Sequence, residues 1–140
     1  MSRFVVDASV AVKWYFSEVD SPAALRLLSG DHALVAPDLL FVEFGNTLWK
    51  RTQRGQITTA DSLEILRDLF LVPFDIQPSR KYLAHAIELA AGLGRTVYDS
   101  LYLSIAILSG CAVITADRRL LNTVRDSPFG SSILCLEELV

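Results

Sequence analysis

The sequence predicts a three-layer α/β/α sandwich with a central, mainly parallel sheet. Compact runs of apolar residues, typical of strands buried on both faces, recur along the whole chain. Longer segments lie between these runs, and their apolar residues recur every three or four positions, as in helices packed against a core. Strands that alternate with helices in this way form parallel sheets with helices on both faces.

Length and charge restrict the possible functions. The chain has 140 residues, of which 51% are hydrophobic, enough for the core of one domain. We expect a single domain over residues 1–140, because no linker or internal repeat divides the sequence. Thirteen Lys and Arg against sixteen Asp and Glu give a net charge of -3. This charge argues against binding of nucleic acid by bulk electrostatic attraction, so any such contact must be local.

Several features favour a cytoplasmic protein. The first apolar run is too short for a signal peptide, and no run approaches the roughly 18 residues that span a bilayer. Cys111 and Cys135 lie at or within predicted strands and resemble small buried hydrophobes, as in a reducing compartment. Neither His32 nor His85 has a metal-ligand neighbour at a useful spacing, so we expect both to be non-catalytic.

Five apolar runs predict the strands of the sheet. The first stops at Asp7, and Pro73 places the third at an edge because proline cannot donate a hydrogen bond to a neighbouring strand. The predicted strands cover residues 4–6, 33–36, 72–76, 112–115 and 133–136.

Seven helices are predicted between and around these strands. Asp38 is placed to cap the third helix, and Gly30, Gly55, Gly94 and Gly110 mark helix ends. We expect the second helix to bury Leu25 and Leu28, the first Val10 and Trp14, and the sixth Val97, Leu101, Ile105 and Leu108. The predicted helices cover residues 8–16, 21–29, 39–54, 58–71, 79–91, 96–109 and 118–125.

Two acids, Asp99 and Asp117, lie where a core is expected. One interpretation is helix capping: Asp99 has capping-box spacing from Thr96, and Asp117 precedes the helix over residues 118–125. The other is a cation site, because burying an unpaired carboxylate costs several kcal/mol. The segment between the two acids contains no Lys, Arg or His. A cation from outside the chain is therefore the expected partner.

Four acids are predicted to meet at one edge of the sheet. Asp7 and Asp117 follow strands, whereas Glu43 and Asp99 lie near the starts of helices that flank strands. Ligands of parallel sheets bind beyond the carboxyl ends of the strands, where all four side chains can reach the same rim. Oxygen ligands without His or Cys select Mg²⁺ or Mn²⁺. Such an ion would activate water and stabilise charge on phosphorus, so the predicted reaction is phosphodiester hydrolysis.

Polar neighbours of the acids have two possible roles. Ser9, Asn46 and Thr115 could orient the carboxylates, or they could make local hydrogen bonds to the backbone. Basic residues near the acids could contact phosphate, or they could be solvated surface charges. These basic residues are Lys13, Lys50, Arg51, Arg54, Arg95, Arg118 and Arg119.

The motifs together resemble a known family. VVDASV contains Asp7, APDLLFVEFGNTLWK contains Glu43, TVYDSLYLSIA contains Asp99, and ITADRRL contains Asp117. In this order and spacing they resemble the PIN-domain ribonucleases, specifically the VapC-type toxins of toxin-antitoxin pairs. The resemblance covers essentially the whole chain. It implies an endoribonuclease dependent on Mg²⁺ or Mn²⁺, with these four acids as its metal-binding and catalytic residues.

The same resemblance implies partners and supporting residues. Ser9 and Thr115 stand at positions of the family pattern. A homodimer and a cognate VapB-type antitoxin, encoded nearby, are the expected protein partners, and RNA is the expected substrate.

Other functional classes are also considered. A phosphatase of the haloacid dehalogenase type has an acid after its first strand, but its D-x-D motif requires a second acid where Ser9 stands. A response-regulator receiver would need a paired acid after its first strand and a Lys after its fifth, and neither is present. A non-catalytic module that docks a basic partner on the acids is the remaining alternative.

Overall fold

A five-stranded parallel sheet forms the centre of the computed structural model, which describes residues 2–139. The domain is predicted over residues 1–140, and residues 1 and 140 lie outside the described range. The strand order is β3-β2-β1-β4-β5, and every neighbouring pair is parallel. The strands are β1 Ser2–Val6, β2 His32–Pro37, β3 Asp75–Gln77, β4 Ala112–Thr115 and β5 Ile133–Cys135.

Helices cover both faces of the sheet and complete the predicted three-layer α/β/α fold. Connections from β1 through β3 run in one direction, and those from β3 through β5 run back in the other. Right-handed crossovers therefore place α1 to α4 on one face and α5 to α7 on the opposite face. The helices are α1 Ala8–Ala11, α2 Ser21–Ser29, α3 Leu39–Gln53, α4 Thr59–Phe70, α5 Ser79–Leu93, α6 Val97–Ser109 and α7 Arg118–Arg125. Short 3₁₀ helices cover Val12–Trp14, Gly130–Ser132 and Leu136–Glu138.

The centre of the sheet is the best-buried part of the core. Val5 and Val6 of β1 are fully buried, as are Val35 of β2 and Ile114 of β4. This burial explains the uninterrupted apolar runs, since a central strand has no solvent face. The strand order reverses between β1 and β4, which makes their carboxyl ends the expected ligand site of such a sheet.

Most predicted elements are confirmed, with shifts of a few residues at their ends. β4 and α7 have the predicted bounds, and β3 lies at the edge of the sheet, as Pro73 indicated. The strand begins only at Asp75, after the proline. A Thr58–Asp61 capping box starts α4, and Gly110 ends α6 in the left-handed conformation.

Two predicted helix faces are wrong. In α2, Leu25 and Leu28 are 47% and 37% exposed, whereas Ala24 and Leu27 are buried. The helix is therefore rotated by about one residue from the predicted face. In α6, Leu108 is 60% exposed because the buried segment, residues 100–106, is enclosed on all sides and ends before it.

Asp38 does not cap α3 with its side chain. It occupies the N-cap position, but its Oδ1 atom accepts hydrogen bonds from the backbone N–H and the hydroxyl of Ser79. Asp38 therefore connects the start of α3 to the start of α5.

None of the helices in residues 2–139 combines the length and apolar character that crossing a membrane requires.

Candidate active site

A cavity of about 310 Å³ opens near the carboxyl ends of β1 and β4, and the four predicted acids line it together. Asp7 follows β1, Glu43 lies in α3, Asp99 in the first turn of α6, and Asp117 directly after β4. Four elements, far apart in sequence, thus bring four carboxylates to one place. The full lining is Asp7, Ala8, Ser9, Val12, Glu43, Asn46, Thr47, Lys50, Asp99 and Asp117.

Asp7 is the most buried of these acids, with 6% of its surface exposed. Its backbone N–H donates to the carbonyl of Ile114 at 3.1 Å, which extends the pairing of β1 with β4. Ser9 Oγ and Thr115 Oγ1 donate to the same carboxylate oxygen, Oδ2, at 2.6 and 2.9 Å. Burial raises the pKa of Asp7 above its usual 3.8, the two hydroxyls oppose this shift, and the charges of Asp99 and Asp117 add to it.

The two hydroxyls also link Asp7 to the segment after β4. Ser9 Oγ accepts a hydrogen bond from the backbone N–H of Ala116, and Thr115 Oγ1 accepts one from that of Asp117, both at 3.0 Å. Each hydroxyl therefore accepts from the backbone while it donates to the carboxylate. The two roles considered for Ser9 and Thr115, orienting an acid and bonding to the backbone, occur together.

Glu43 is oriented by a residue that the sequence analysis missed. The hydroxyl of Tyr102, a residue of α6 that is only 1% exposed, donates to Glu43 Oε1 at 2.6 Å. Burial raises the pKa of Glu43, the Tyr102 hydrogen bond opposes that shift, and the charges of Asp7 and Asp99 add to it. The one available signal was that Tyr102 lies three residues after Asp99, on the same side of the helix.

Asp117 both caps a helix and lines the cavity. Its Oδ1 atom accepts hydrogen bonds from the backbone N–H groups of Arg119 and Leu120, at 3.0 and 3.2 Å. Capping thus uses one oxygen and leaves Oδ2 available. Asp99 differs, because Thr96 Oγ1 caps its backbone N–H at 3.1 Å while its own carboxylate turns elsewhere.

The carboxylate of Asp99 pairs with Arg95, and this corrects an expectation. Arg95 Nη2 lies 2.8 Å from Asp99 Oδ2 and 3.6 Å from Asp117 Oδ2. A cation from within the chain therefore partners both acids. Arg95 lies one turn before Asp99, outside the segment between the two acids that contains no basic residue. Its alternative as a solvated surface charge is also wrong, because only 22% of the side chain is exposed.

The donor atoms of the cavity fit a hard divalent ion. All four candidate ligands are carboxylates, and Arg95 shows that Asp99 and Asp117 can hold positive charge between them. Asp7 adds Oδ1, which accepts no hydrogen bond from the described residues, since both hydroxyls donate to Oδ2. As the side chains stand, no group of three or more His, Cys, Asp or Glu within residues 2–139 has the spacing to hold a metal ion. Binding would therefore require the acids to move closer together.

A second, larger cavity of about 610 Å³ lies between α5 and α7 and includes His85. Among the described residues that line it, the acids are Glu88 and Asp126, and both are exposed. The Nδ1 atom of His85 hydrogen-bonds Ser104 Oγ at 2.8 Å. We therefore place the candidate chemistry in the smaller cavity, where four carboxylates meet.

Comparisons with known proteins agree with this fold. A model of the PIN domain matches residues 4–126. Ribonuclease VapC3 from Pyrobaculum aerophilum is 33% identical over 120 residues, which cover 84% of this chain and 92% of that protein.

Solved structures show the same architecture. PAE2754 from Pyrobaculum aerophilum superposes with a TM-score of 0.74 at 25% identity, over 99% of this chain and 86% of that one. A toxin-antitoxin complex from Klebsiella pneumoniae contains a chain with a TM-score of 0.63 at 14% identity, over 95% of this chain and 97% of that one. These structures show the same fold, and the family model together with the VapC3 match shows that the chain belongs to the PIN-domain family, in its VapC-type group.

Proposed function

We propose that this protein is an endoribonuclease that hydrolyses RNA phosphodiester bonds with Mg²⁺ or Mn²⁺, and that it acts as the toxin of a toxin-antitoxin pair. The meeting of Asp7, Glu43, Asp99 and Asp117 in one cavity carries the proposal. Membership of the PIN-domain family and the 33% identity to a protein named as a ribonuclease support it. We further propose that the chain acts as one nuclease domain in the cytoplasm.

In this proposal the four acids hold the ion and form the catalytic site. When bound, the ion lowers the pKa of the attacking water and offsets the charge that develops on the phosphate. Ser9 and Thr115 fix Oδ2 of Asp7 by hydrogen bonds, and Oδ1 remains for the ion. Tyr102 likewise fixes one oxygen of Glu43, because its hydroxyl donates a hydrogen bond to Oε1.

Polar residues on α3 extend the site toward substrate. Asn46 and Lys50 lie one and two turns after Glu43, and both line the cavity with exposed side chains. A Lys ammonium there can contact a phosphate next to the cleaved bond, while the Asn46 amide can bind an acid or the substrate. This gives an acidic protein the local positive contact that RNA requires.

Cleavage of a structured RNA by the purified protein tests the proposal. We expect internal cuts with Mg²⁺ or Mn²⁺ and none in EDTA. Asp7→Asn should abolish cleavage, whereas Asp31→Asn, which removes the same charge from an exposed loop, should leave it unchanged. Full activity in EDTA would contradict metal dependence. Cleavage of small phosphomonoesters but not of RNA would favour the phosphatase alternative, and cleavage of neither would favour a binding module.

Two protein partners are proposed, a second copy of the chain and a VapB-type antitoxin. The toxin-antitoxin complex of similar fold supports the antitoxin. Exposed apolar side chains on α3 and α4, among them Val42, Trp49, Leu63 and Phe70, supply surface that protein partners could cover. Light scattering should give twice the 15.5 kDa mass of one chain. Co-expression of the adjacent reading frame should relieve growth arrest, and a failure to form any complex would count against the antitoxin.

A further inference from the structure

One nitrogen of Arg95 contacts two of the four acids. Nη2 lies 2.8 Å from Oδ2 of Asp99 and 3.6 Å from Oδ2 of Asp117. Because Asp117 uses Oδ1 to cap α7, its Oδ2 atom is the oxygen that remains for a cation. The positive charge of Arg95 therefore lies between two carboxylates that we propose as metal ligands.

The surrounding protein holds this guanidinium weakly. Arg95 Nε is buried and has no hydrogen-bond partner in the part of the chain that the structure describes. A buried N–H donor without an acceptor disfavours the conformation that contains it. The attraction of Asp99 and Asp117 is thus the main force that keeps the guanidinium in place, and a cation that binds those acids more strongly can release it.

Arg95 offsets the negative charge of only two of the four acids, Asp99 and Asp117. Asp7 and Glu43, which line the same cavity, form no ion pair with the described residues. Negative charge therefore remains available to a divalent cation. Such a cation and the guanidinium would share Asp99 and Asp117 at close range, where like charges repel.

From this geometry we propose that Arg95 is an internal counter-ion of the cavity. It holds Asp99 and Asp117 together in the metal-free protein, and a divalent cation displaces it on binding. Arg95 thereby weakens metal binding and sets the metal concentration at which the site fills. The proposal rests on the proposed function, because it requires the cavity to bind the ion.

Direct measurement of Mn²⁺ binding tests the proposal without reference to cleavage. The electron paramagnetic resonance signal of free Mn²⁺ gives the Kd for each protein. Arg95→Gln should lower this Kd by about tenfold, within the usual range for two coupled ligands. Arg119→Gln is the matched control, because Arg119 is an exposed arginine two residues after Asp117 and makes no ion pair with residues 2–139. Its Kd should stay within about twofold of wild type, since exposed charges are screened.

The outcomes separate this proposal from the proposed function. Equal or weaker Mn²⁺ binding by Arg95→Gln, with normal binding by wild type, would overturn the role of Arg95 alone. Equal tightening by both substitutions would also overturn it, because the effect would then be one of general charge. No Mn²⁺ binding by wild type or by Arg95→Gln would overturn the metal site, and with it this proposal.

A measurement on the wild-type protein needs no folded variant. Phenylglyoxal modifies accessible guanidinium groups, and peptide mass spectrometry follows Arg95 and Arg119 separately. Mn²⁺ should speed the modification of Arg95 several-fold relative to Arg119, because the displaced side chain becomes exposed. An unchanged or slower reaction at Arg95 under saturating Mn²⁺ would overturn the proposal.

Discussion

At the scale of single residues, the hydroxyl of the buried Tyr102 orients one acid of the cavity. It donates to Glu43 across 59 residues of sequence, and this hydrogen bond opposes the upward shift of the Glu43 pKa. The tyrosine therefore keeps Glu43 ionised to lower pH. It also fixes the side-chain conformation, as partners of metal-binding carboxylates do in other sites.

Tyr102→Phe removes this donor and keeps the ring. We expect the pKa of Glu43 to rise, so the acidic limb of the pH–rate profile should move to higher pH. The cleavage rate should fall by about 10- to 100-fold, as for other residues that support metal ligands. Tyr98→Phe is the control, since Tyr98 is an exposed tyrosine of the same helix. An unshifted acidic limb in Tyr102→Phe would contradict this role.

Asp7 gives a prediction about stability. Its raised pKa means that the folded protein binds more protons than the unfolded chain above about pH 4. The metal-free protein should therefore lose stability as pH rises from the usual pKa through the raised one. Asp7→Asn removes this loss, so in EDTA at pH 7 it should be more stable than wild type.

Urea unfolding at pH 4 and pH 7 measures this difference. The advantage of Asp7→Asn should be small at pH 4 and larger at pH 7. Asp31→Asn should change stability by less than about 0.5 kcal/mol at both values, as expected at an exposed position. An Asp7→Asn protein that is less stable than wild type at pH 7 would show that the charge of Asp7 is well compensated.

At the scale of elements, the end of α6 determines where β4 begins and hence where Asp117 lies. Gly110 ends the helix with φ of 70°, and β4 starts two residues later. A residue with a side chain is strained in this conformation. The sequence signal of a glycine after an apolar helix thus corresponds to a real requirement of the backbone.

Gly110→Ala should destabilise the protein by about 1 to 2 kcal/mol. A Cβ atom there meets nothing within 4 Å, so the cost arises from the backbone alone. Gly92→Ala is the matched opposite, since Gly92 lies inside α5, lacks a positive φ and is equally open. It should stabilise the protein by about 0.5 to 1 kcal/mol. Thermal unfolding measures the change in stability of each variant. If both changes have the same sign, the explanation from backbone conformation is wrong.

At the scale of the whole molecule, charge limits how the protein can hold RNA. The net charge of -3 leaves only local contacts, of which Lys50 at the cavity is the most direct. Each phosphate contact on a single strand contributes about 0.7 to the slope of log affinity against log salt. A shallow dependence on salt is therefore expected.

RNA binding in EDTA, where cleavage is stopped, measures this slope. Two to four phosphate contacts predict a slope of roughly 1.5 to 3 in magnitude. Lys50→Gln should reduce it by about 0.7, whereas Lys81→Gln, an exposed lysine of α5, should not. A slope that is unchanged in Lys50→Gln would remove this lysine from the binding surface.

The sequence by itself determined the alternation of strands and helices, the acids at strand ends and most helix boundaries. These features depend on interactions within a few residues: apolar runs, caps such as Thr96, and glycines such as Gly110. These signals can be recognised in the sequence because local backbone conformation depends mainly on residues that are close in the chain. The resemblance to the PIN-domain family, carried by the motifs around the four acids, also needed no coordinates.

Only the tertiary structure decided what depends on long-range packing. The pairing of β1 with β4 brings Thr115 to Asp7, and Tyr102 of α6 reaches Glu43 of α3 although the two helices lie on opposite faces of the sheet. The tertiary structure also decided which face of α2 is buried. The packing of this helix against the core buries Ala24 and Leu27, although Leu25 and Leu28 are at least as hydrophobic. Arg95 meets Asp117 for the same reason: their contact exists only once the start of α6 lies beside the end of β4.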